Sequence, residues 1–344
     1  MKKLLNTLYL TTEGSSLRKE GENLVAEFEG VEKARVPFHM ISSVVLFGAI
    51  FVSPPLLQSC AAAGITIVLL SRSGRFQARV EGPVSGNVLL RRAQYKASEK
   101  PEEIVRAILI GKIANQRSVL MRHLRDYGDE TEAPILARLN FVVERLAHIV
   151  RYVQMADIEL NLMRGSEGEA ANLYFSVFDY LIRSSEPSMR WRVRSRRPPL
   201  DPTNALLSFL YTLLIHDCRS AAESVGLDPA VGFLHRDRPG RPSLALDLME
   251  ELRPILADRL ALSLVNRRQI QASDFETREG GAVFLRDDAR KTVLTAWQER
   301  KKEERLHPFL EEKAPLGLFP YLQALLLARH LRGDLDAYPS LLWK

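Results

Sequence analysis

The sequence predicts an α+β protein: a small N-terminal mostly-β domain over residues 1–88, then a larger all-α domain over residues 89–344. Three observations predict it. Short alternating or β-rich runs, separated by turn residues, fill the first 80 or so positions. From about Leu89 the apolar spacing changes to a helical period. A chain of 344 residues is comfortable for two domains, and it buries enough surface to need neither disulfide nor structural metal.

The elements follow in order. Leu4, Asn6, Leu8 and Leu10 alternate, Leu24–Phe28, Val31–Phe38 and Ser43–Phe47 continue the strand pattern, and Gly14, Gly21 and Gly30 mark turns. Ser53-Pro54-Pro55 opens one short helix, which Gly64 stops. Ile65–Leu70 is a buried-strand run, and Ser73-Gly74 turns into Arg75–Val80, with Arg72–Arg75 as a hairpin tip. In the helical part, Pro101-Glu102-Glu103 starts a helix that Ile104, Ile108, Val119 and Leu120 carry to about Leu124. A second helix is expected over Ile135–Met163, ended by Gly165, and a third over Glu167–Leu181. Four prolines make Ser184–Pro202 irregular; Asp201-Pro202 then starts a helix to about Val225, closed by Gly226. Ser243–Val265 reads as one helix kinked at Pro254. A small hairpin around Glu279-Gly280-Gly281 precedes helices at about Asp287–Glu303 and Phe319–Leu331, and the apolar Tyr338–Lys344 tail is expected to dock.

Composition narrows the function. The chain is 46% hydrophobic and 26% charged, which excludes wholesale disorder. No apolar run is long enough for a membrane span and the N-terminus lacks a signal-peptide pattern, so a cytoplasmic protein with no membrane partner is expected. Cys60 and Cys218 read as separate buried thiols. The net charge is +6, and residues 1–97 hold 12 Lys and Arg against 7 Asp and Glu. Further on, Arg190, Arg192, Arg194, Arg196 and Arg197 crowd eight positions around Trp191 with no acid among them. Such a cluster suits a polyanion, with the indole as a stacking platform, or is a solvated loop.

Three segments place metal-type ligands beside small residues. Glu167 begins the expected third helix among Gly168, Ala170 and Ala171, where it either caps the dipole or meets a closely approaching helix. His235 closes Gly232-Phe233-Leu234 and enters a basic loop with Arg236, Arg238 and Arg241. Asp247 and Glu250 are i, i+3 on one helix, about 5–6 Å apart at Cβ, on a face expected to be buried. Buried paired carboxylates need a cation. Two carboxylates and an imidazole suit Mg²⁺ or Mn²⁺ and, beside arginines, phosphodiester chemistry. The residues leave three readings open: a metal-dependent DNA-processing enzyme, a non-catalytic nucleic-acid-binding scaffold, and a hydrolase of small phosphoesters.

Four stretches then carry a resemblance: Gly165–Ala171 with Tyr174-Phe175, Arg196–Ser208, Gly226–Pro229 with Gly232–His235, and Ser243–Pro254. In this order and spacing the chain resembles the CRISPR-associated endonuclease/integrase family, the catalytic subunit of spacer acquisition. The resemblance implies one divalent ion held by Glu167, His235 and Glu250, with Asp247 as an assisting fourth ligand. Many relatives carry Asp where Glu250 stands. It implies homodimers formed through the β domains, two of which clamp a dimer of a small ferredoxin-like companion subunit. The α domain would be catalytic, joining the 3′-hydroxyl ends of a short double-stranded DNA to CRISPR repeat DNA by transesterification. Arg190, Arg192, Arg194, Arg196, Arg197, Arg236, Arg238 and Arg241 would hold the DNA. Tyr174, Asn204 and Arg253 lie in or beside the motifs, with helix packing or ion pairing as the plainer role.

Overall fold

The structure, a computed structural model, describes residues 7–41, 43–71, 76–82, 88–155 and 158–343. The expectations for Leu4 and Asn6 and for the Arg72–Arg75 hairpin tip lie outside them. The chain is α+β, a β-sheet region followed by a largely helical one. It divides into two compact units, Met1–Ser85 with Leu285–Lys302, and Gly86–Phe284 with Glu303–Lys344.

The first unit holds two four-stranded sheets. Its strands are β1 (Thr7–Leu10), β2 (Ser16–Glu20), β3 (Asn23–Phe28), β4 (Val31–Pro37), β5 (Ser43–Phe47) and β6 (Phe51–Val52); α1 (Pro54–Ala62), β7 (Thr66–Leu70) and β8 (Phe76–Val80) follow. One sheet runs β1-β5-β7-β8, parallel except for β8, with Leu8 opposite Val44 and Leu10 opposite Leu46. The other runs β4-β3-β2-β6, with Leu17 opposite Ala26. Strands β2 and β6 were not anticipated: Ser-Leu-Arg-Lys-Glu is polar at every position but one, and β6 has two residues. Leu17, Leu24 and Ala26 from one sheet, Val44, Leu46 and Ile67 from the other, and Leu56 and Cys60 of α1 form a common core. Gly64, at φ +69°, ends α1 and lets the Ile65 N–H bond back to the Cys60 carbonyl at 2.8 Å.

The second unit begins with α2 (Val88–Ser98), α3 (Glu102–Tyr127), α4 (Ala133–Val153), α5 (Leu160–Ser176) and α6 (Pro202–Ser224). Then come α7 (Ser243–Leu252), a π-helical segment Arg253–Asp258, and α8 (Arg259–Asn266). It also holds short strands, so it is largely helical rather than all-α: β9 (Phe275–Thr277) pairs with β10 (Val283–Leu285), and β11 (Glu304–Leu306) with β12 (Lys313–Pro315). Helix α9 (Asp287–Lys302) groups with the β-rich unit, and α10 (Phe319–Leu331) with the helical one.

Two helix expectations are corrected. The long helix breaks after Val153, not at Gly165, and α5 runs through Gly165 to Ser176. Glu167 is therefore inside a helix, too far from its start to cap it. The stretch expected as one kinked helix is α7 and α8 joined by the wide turn at Pro254. Proline lacks the N–H that would reach back to the Glu250 carbonyl, and its ring crowds that carbonyl, so the helix widens there.

Candidate metal centre and nucleic-acid interface

Helix α7 buries nearly everything it carries. Asp247, Glu250 and Glu251 are each at most 2% exposed. Leu244, Leu248 and Leu252 seat the same helix in the core, so its acids enter low dielectric with it. Each must therefore find donors or a cation.

Asp247 finds donors. Its Oδ2 accepts from the backbone N–H groups of Phe233 at 2.6 Å and Leu234 at 3.0 Å. Its Oδ1 accepts from the His235 backbone N–H at 3.0 Å and lies 2.6 Å from His235 Nδ1. A carboxylate only accepts, so Nδ1 carries the hydrogen and Nε2 is left with a free lone pair. Gly232 permits this approach: a Cβ there would sit 2.8 Å from Asp247 Oδ2 and from the Ser243 backbone. Gln94 of α2 fixes the start of the same loop, bonding Asp228 and Val231 carbonyls and the Asp228 N–H. Arg164 of α5 donates to the Leu234 carbonyl at 3.0 Å. Asp247, expected as an assisting fourth ligand, is thus engaged by this loop. Both its oxygens are taken, and its place is behind the imidazole.

Glu250 finds cations. Arg253 Nη1 lies 2.9 Å from Oε1, and the buried Lys112 of α3 lies 2.8 Å from Oε2. Lys112 also pairs closely with Glu167 Oε1, so one ammonium joins the carboxylates of α5 and α7. His235 Nε2 stands 3.7 Å from Glu250 Oε1. The three motif residues thus meet around Glu250, the glutamates through Lys112. Burial alone would raise the Glu250 pKa, but Arg253 and Lys112 outweigh it and hold it down at about 2. Burial likewise opposes the Lys112 charge, and Glu250 and Glu167 overcome it, so its pKa is raised.

Oε2 of Glu250 is buried and takes no well-directed hydrogen bond despite its contact with Lys112. Together with a half-buried Glu167 and the free Nε2 of His235, this makes an O, O, N set suited to Mg²⁺ or Mn²⁺. Among the described residues no three such side chains are spaced to close on an ion as they stand. The Lys112 ammonium lies where the two carboxylates converge. Sequence reasoning missed Lys112, although the signal was present: it falls four residues after Ile108 on the apolar face of α3, where a lysine needs a buried acid.

A second buried acid, Asp258, closes the π-helical segment. Asp258 accepts from Tyr174 at 3.1 Å and Tyr211 at 2.6 Å. Burial raises its pKa to about 6 against the pull of those hydroxyls and of Arg253 and Arg194. Tyr211 lies between two guanidinium groups, Arg194 at 5.3 Å and Arg253 at 5.1 Å from its ring. Tyr174 is thus a buried helix-packing residue.

The arginines divide. Arg192, Arg196, Arg197, Arg236 and Arg238 are exposed; Arg190 is exposed and pairs with Asp179. Arg241 is half-buried; its pKa is lowered by burial and by the neighbouring charges of Arg238, Arg197 and Arg196. Arg196 and Arg197 are thus near enough to be felt by Arg241, in the loop that carries His235. Arg194 is different: it turns inward to Asn204 Oδ1 and the Ser195 carbonyl, both at 2.7 Å. Trp191 is also corrected. It is buried, stacked on Phe175 at 5.3 Å, with its indole N–H on the Phe175 carbonyl, so it offers no platform to a base. Gly165 and Gly168 face open space rather than an approaching helix. Cys60 and Cys218 are buried free thiols.

Comparison with known proteins supplies the rest. Residues 8–299 match the family model described as CRISPR associated protein Cas1. The chain is 70% identical, over the full length of both, to "CRISPR-associated endonuclease Cas1 2" of Rhodospirillum rubrum. Among solved structures it is similar to a "Casposase bound to integration product", with TM-score 0.83 and 20% identity over 98% of this chain and 94% of that one. It is also similar to a "Cas6-RT-Cas1--Cas2 complex", with TM-score 0.78 and 22% identity over 98% of this chain and 36% of that one. No helix among the described residues is long and apolar enough to cross a membrane.

Proposed function

The chain belongs to the Cas1 family, and from that premise we propose how it acts as the Cas1 endonuclease of CRISPR adaptation: through one divalent cation, Mg²⁺ or Mn²⁺, bound by Glu167, His235 and Glu250. The observation that carries the assignment is the meeting of α5, α7 and the His235 loop. Two carboxylates share one ammonium, and the imidazole beside them has its other nitrogen fixed by Asp247.

The reaction is phosphodiester transesterification. A 3′-hydroxyl oxygen of a short captured duplex bonds to a phosphorus of the repeat, and the P–O3′ bond there breaks. The attacking hydroxyl loses its proton, and the departing O3′ takes one up. With water as the nucleophile the same exchange is hydrolysis. A bound divalent ion supplies polarisation of the phosphoryl oxygen and lowers the pKa of the attacking oxygen. Glu167 and Glu250 supply oxygen donors and His235 a nitrogen donor. Asp247 keeps His235 in the tautomer that presents Nε2. Arg253 holds Glu250 ionised. Exposed Arg192, Arg196, Arg197, Arg236 and Arg238, with Arg190 and Arg241, are unlike a resting surface, because their mutual repulsion is relieved by a phosphate backbone.

The partner reading rests on the similarity to a structure whose title pairs Cas1 with Cas2. It extends to homodimers formed through the N-terminal β domain, residues 1–88, with two such dimers on a dimer of the small companion subunit. Exposed Val31, Met40 and Phe51 on that unit are consistent with a covered surface.

The test is strand transfer of a duplex with 3′ overhangs into a repeat-bearing plasmid, with and without chelator. Glu167→Ala, His235→Ala and Glu250→Ala are each expected to abolish joining while duplex binding persists. Retention of joining by all three in Mn²⁺ overturns the site. Chelator-insensitive processing favours the non-catalytic scaffold instead.

A further inference from the structure

We propose that the C-terminal segment Tyr338–Trp343 is a positioning strap for the metal centre, holding α7 against α3 and so fixing where Glu250 stands beside Glu167 and His235. The inference rests on the metal-site reading above, but on different residues.

The strap touches both helices at the positions that matter. On α7 it holds Glu251, the neighbour of Glu250: Tyr338 donates its hydroxyl to Glu251 Oε1 at 2.7 Å, and the Leu341 N–H donates to Oε2 at 2.5 Å. On α3 its contacts bracket Lys112. Ser340 donates to the Ala107 carbonyl at 2.6 Å, and Ser118 donates to the Trp343 carbonyl at 3.1 Å. Asn115, three residues after Lys112, joins all three parts. Its amide donates to the carbonyls of Glu251 and Leu341, each at 2.8 Å, and its oxygen accepts from the Trp343 N–H at 2.8 Å.

The network is buried. Asn115, Glu251, Gln323 and Leu341 are fully inaccessible, and Tyr338 is 3% exposed. Gln323 of α10 completes it, donating to Tyr338 Oη at 2.7 Å and to Glu251 Oε2 at 3.1 Å, while His307 Nε2 lies 3.0 Å from its oxygen. The helices are tight against each other here, since a Cβ on Gly111 would lie 2.9 Å from Glu251 Cγ. Without the strap, a buried Glu251 keeps Gln323 as its donor and loses two others, so α7 gains by moving that side chain towards water. Any such movement displaces Glu250, and a shift of about 1 Å at a reacting centre costs on the order of 100-fold in rate.

The experiment uses the full chain with Tyr338→Phe and, separately, Ser340→Ala, plus Glu251→Ala against Glu251→Gln. Mn²⁺ affinity is read by titration in the absence of DNA, and strand transfer by its rate at saturating duplex. Loosened positioning is expected to weaken Mn²⁺ binding about 10-fold or more and to lower the maximal rate, with the duplex concentration at half-saturation unchanged. Glu251→Gln is expected to recover part of what Glu251→Ala loses. Variants that fold and keep wild-type Mn²⁺ affinity and maximal rate overturn the proposal, whatever their melting temperature. If a tyrosine variant fails to fold, the serine variant and the Ala/Gln pair decide. Should Glu167→Ala and Glu250→Ala also keep Mn²⁺ affinity, the metal site itself is wrong; should they lose it while the strap variants do not, only the strap is.

Discussion

Asp247 Oδ1 meets His235 twice, at the ring Nδ1 at 2.6 Å and at the backbone N–H at 3.0 Å. One oxygen thus sets both the orientation of the imidazole and the path of the loop carrying it. Asp247→Asn cannot do both, because one of its two positions becomes a donor facing backbone N–H groups. It is expected to weaken Mn²⁺ binding by about 10- to 100-fold, measured by titration, and to leave duplex binding unchanged. Undiminished Mn²⁺ affinity would make Asp247 a mere loop anchor.

Lys112→Met removes the ammonium between Glu167 and Glu250. Breaking a buried pair this way costs about 3–5 kcal/mol, read by denaturant unfolding with chelator present. Mn²⁺ is expected to raise the melting temperature of the variant more than that of the wild type, since the ion supplies the missing charge. Equal Mn²⁺ responses would show that lysine and ion do not share the carboxylates.

Trp191 and its neighbouring arginines are expected to separate cleanly. Trp191→Ala empties a buried aromatic site and costs about 3–5 kcal/mol, with the salt dependence of duplex binding unchanged. Arg196→Ala or Arg238→Ala leaves stability near wild type and lowers the slope of log affinity against log salt by about 1 each. A changed slope for Trp191→Ala would return it to the DNA surface.

Asp258 makes stability depend on pH. Burial lifts its pKa from 3.8 to about 6, so between these values the folded state holds a proton that the unfolded chain releases. Its contribution is full below about 3.8 and is lost as pH rises through about 6. The charges facing it, Arg253 and Arg194, and the hydroxyls of Tyr174 and Tyr211 limit the loss but do not reverse it. Glu251, pushed up by burial to about 8, acts with the same sign over a higher range. Asp258→Asn is therefore compared with wild type by difference: its unfolding free energy should fall less between pH 4 and 6. Parallel curves would count against a raised Asp258.

Much of this was legible in the sequence because it rests on local rules. The period change near Leu89, the Asp201-Pro202 start of α6 and the Gly226 stop each depend on a few adjacent residues. The i, i+3 spacing of Asp247 and Glu250 did place both on a buried face. What it could not separate was their fates, since the donors that claim Asp247 lie 12 to 14 residues away in a loop. Glu167 was misplaced because Gly165 looked like a stop, yet an exposed helical glycine costs only about 1 kcal/mol. Arg194 and Trp191 were grouped with exposed neighbours because charge density along a chain does not reveal which side chains turn inward.

The wide turn at Pro254 sets the angular phase of everything that follows. A regular α-helix advances about 100° per residue, so Asp258, eight positions on, would point roughly 80° away from Glu250. The slower winding of six π-helical residues cancels most of that angle. The two acids therefore come back to nearly the same azimuth, with Arg253 between them and against both Glu250 and the Tyr211 ring. Deleting a single residue from Arg253–Asp258 would leave a regular α-helix with the two acids seven positions apart, about 700° of turn, so the extra residue carries the tyrosine-bound carboxylate further along the axis without taking it off the side it shares with its ion-pairing neighbour.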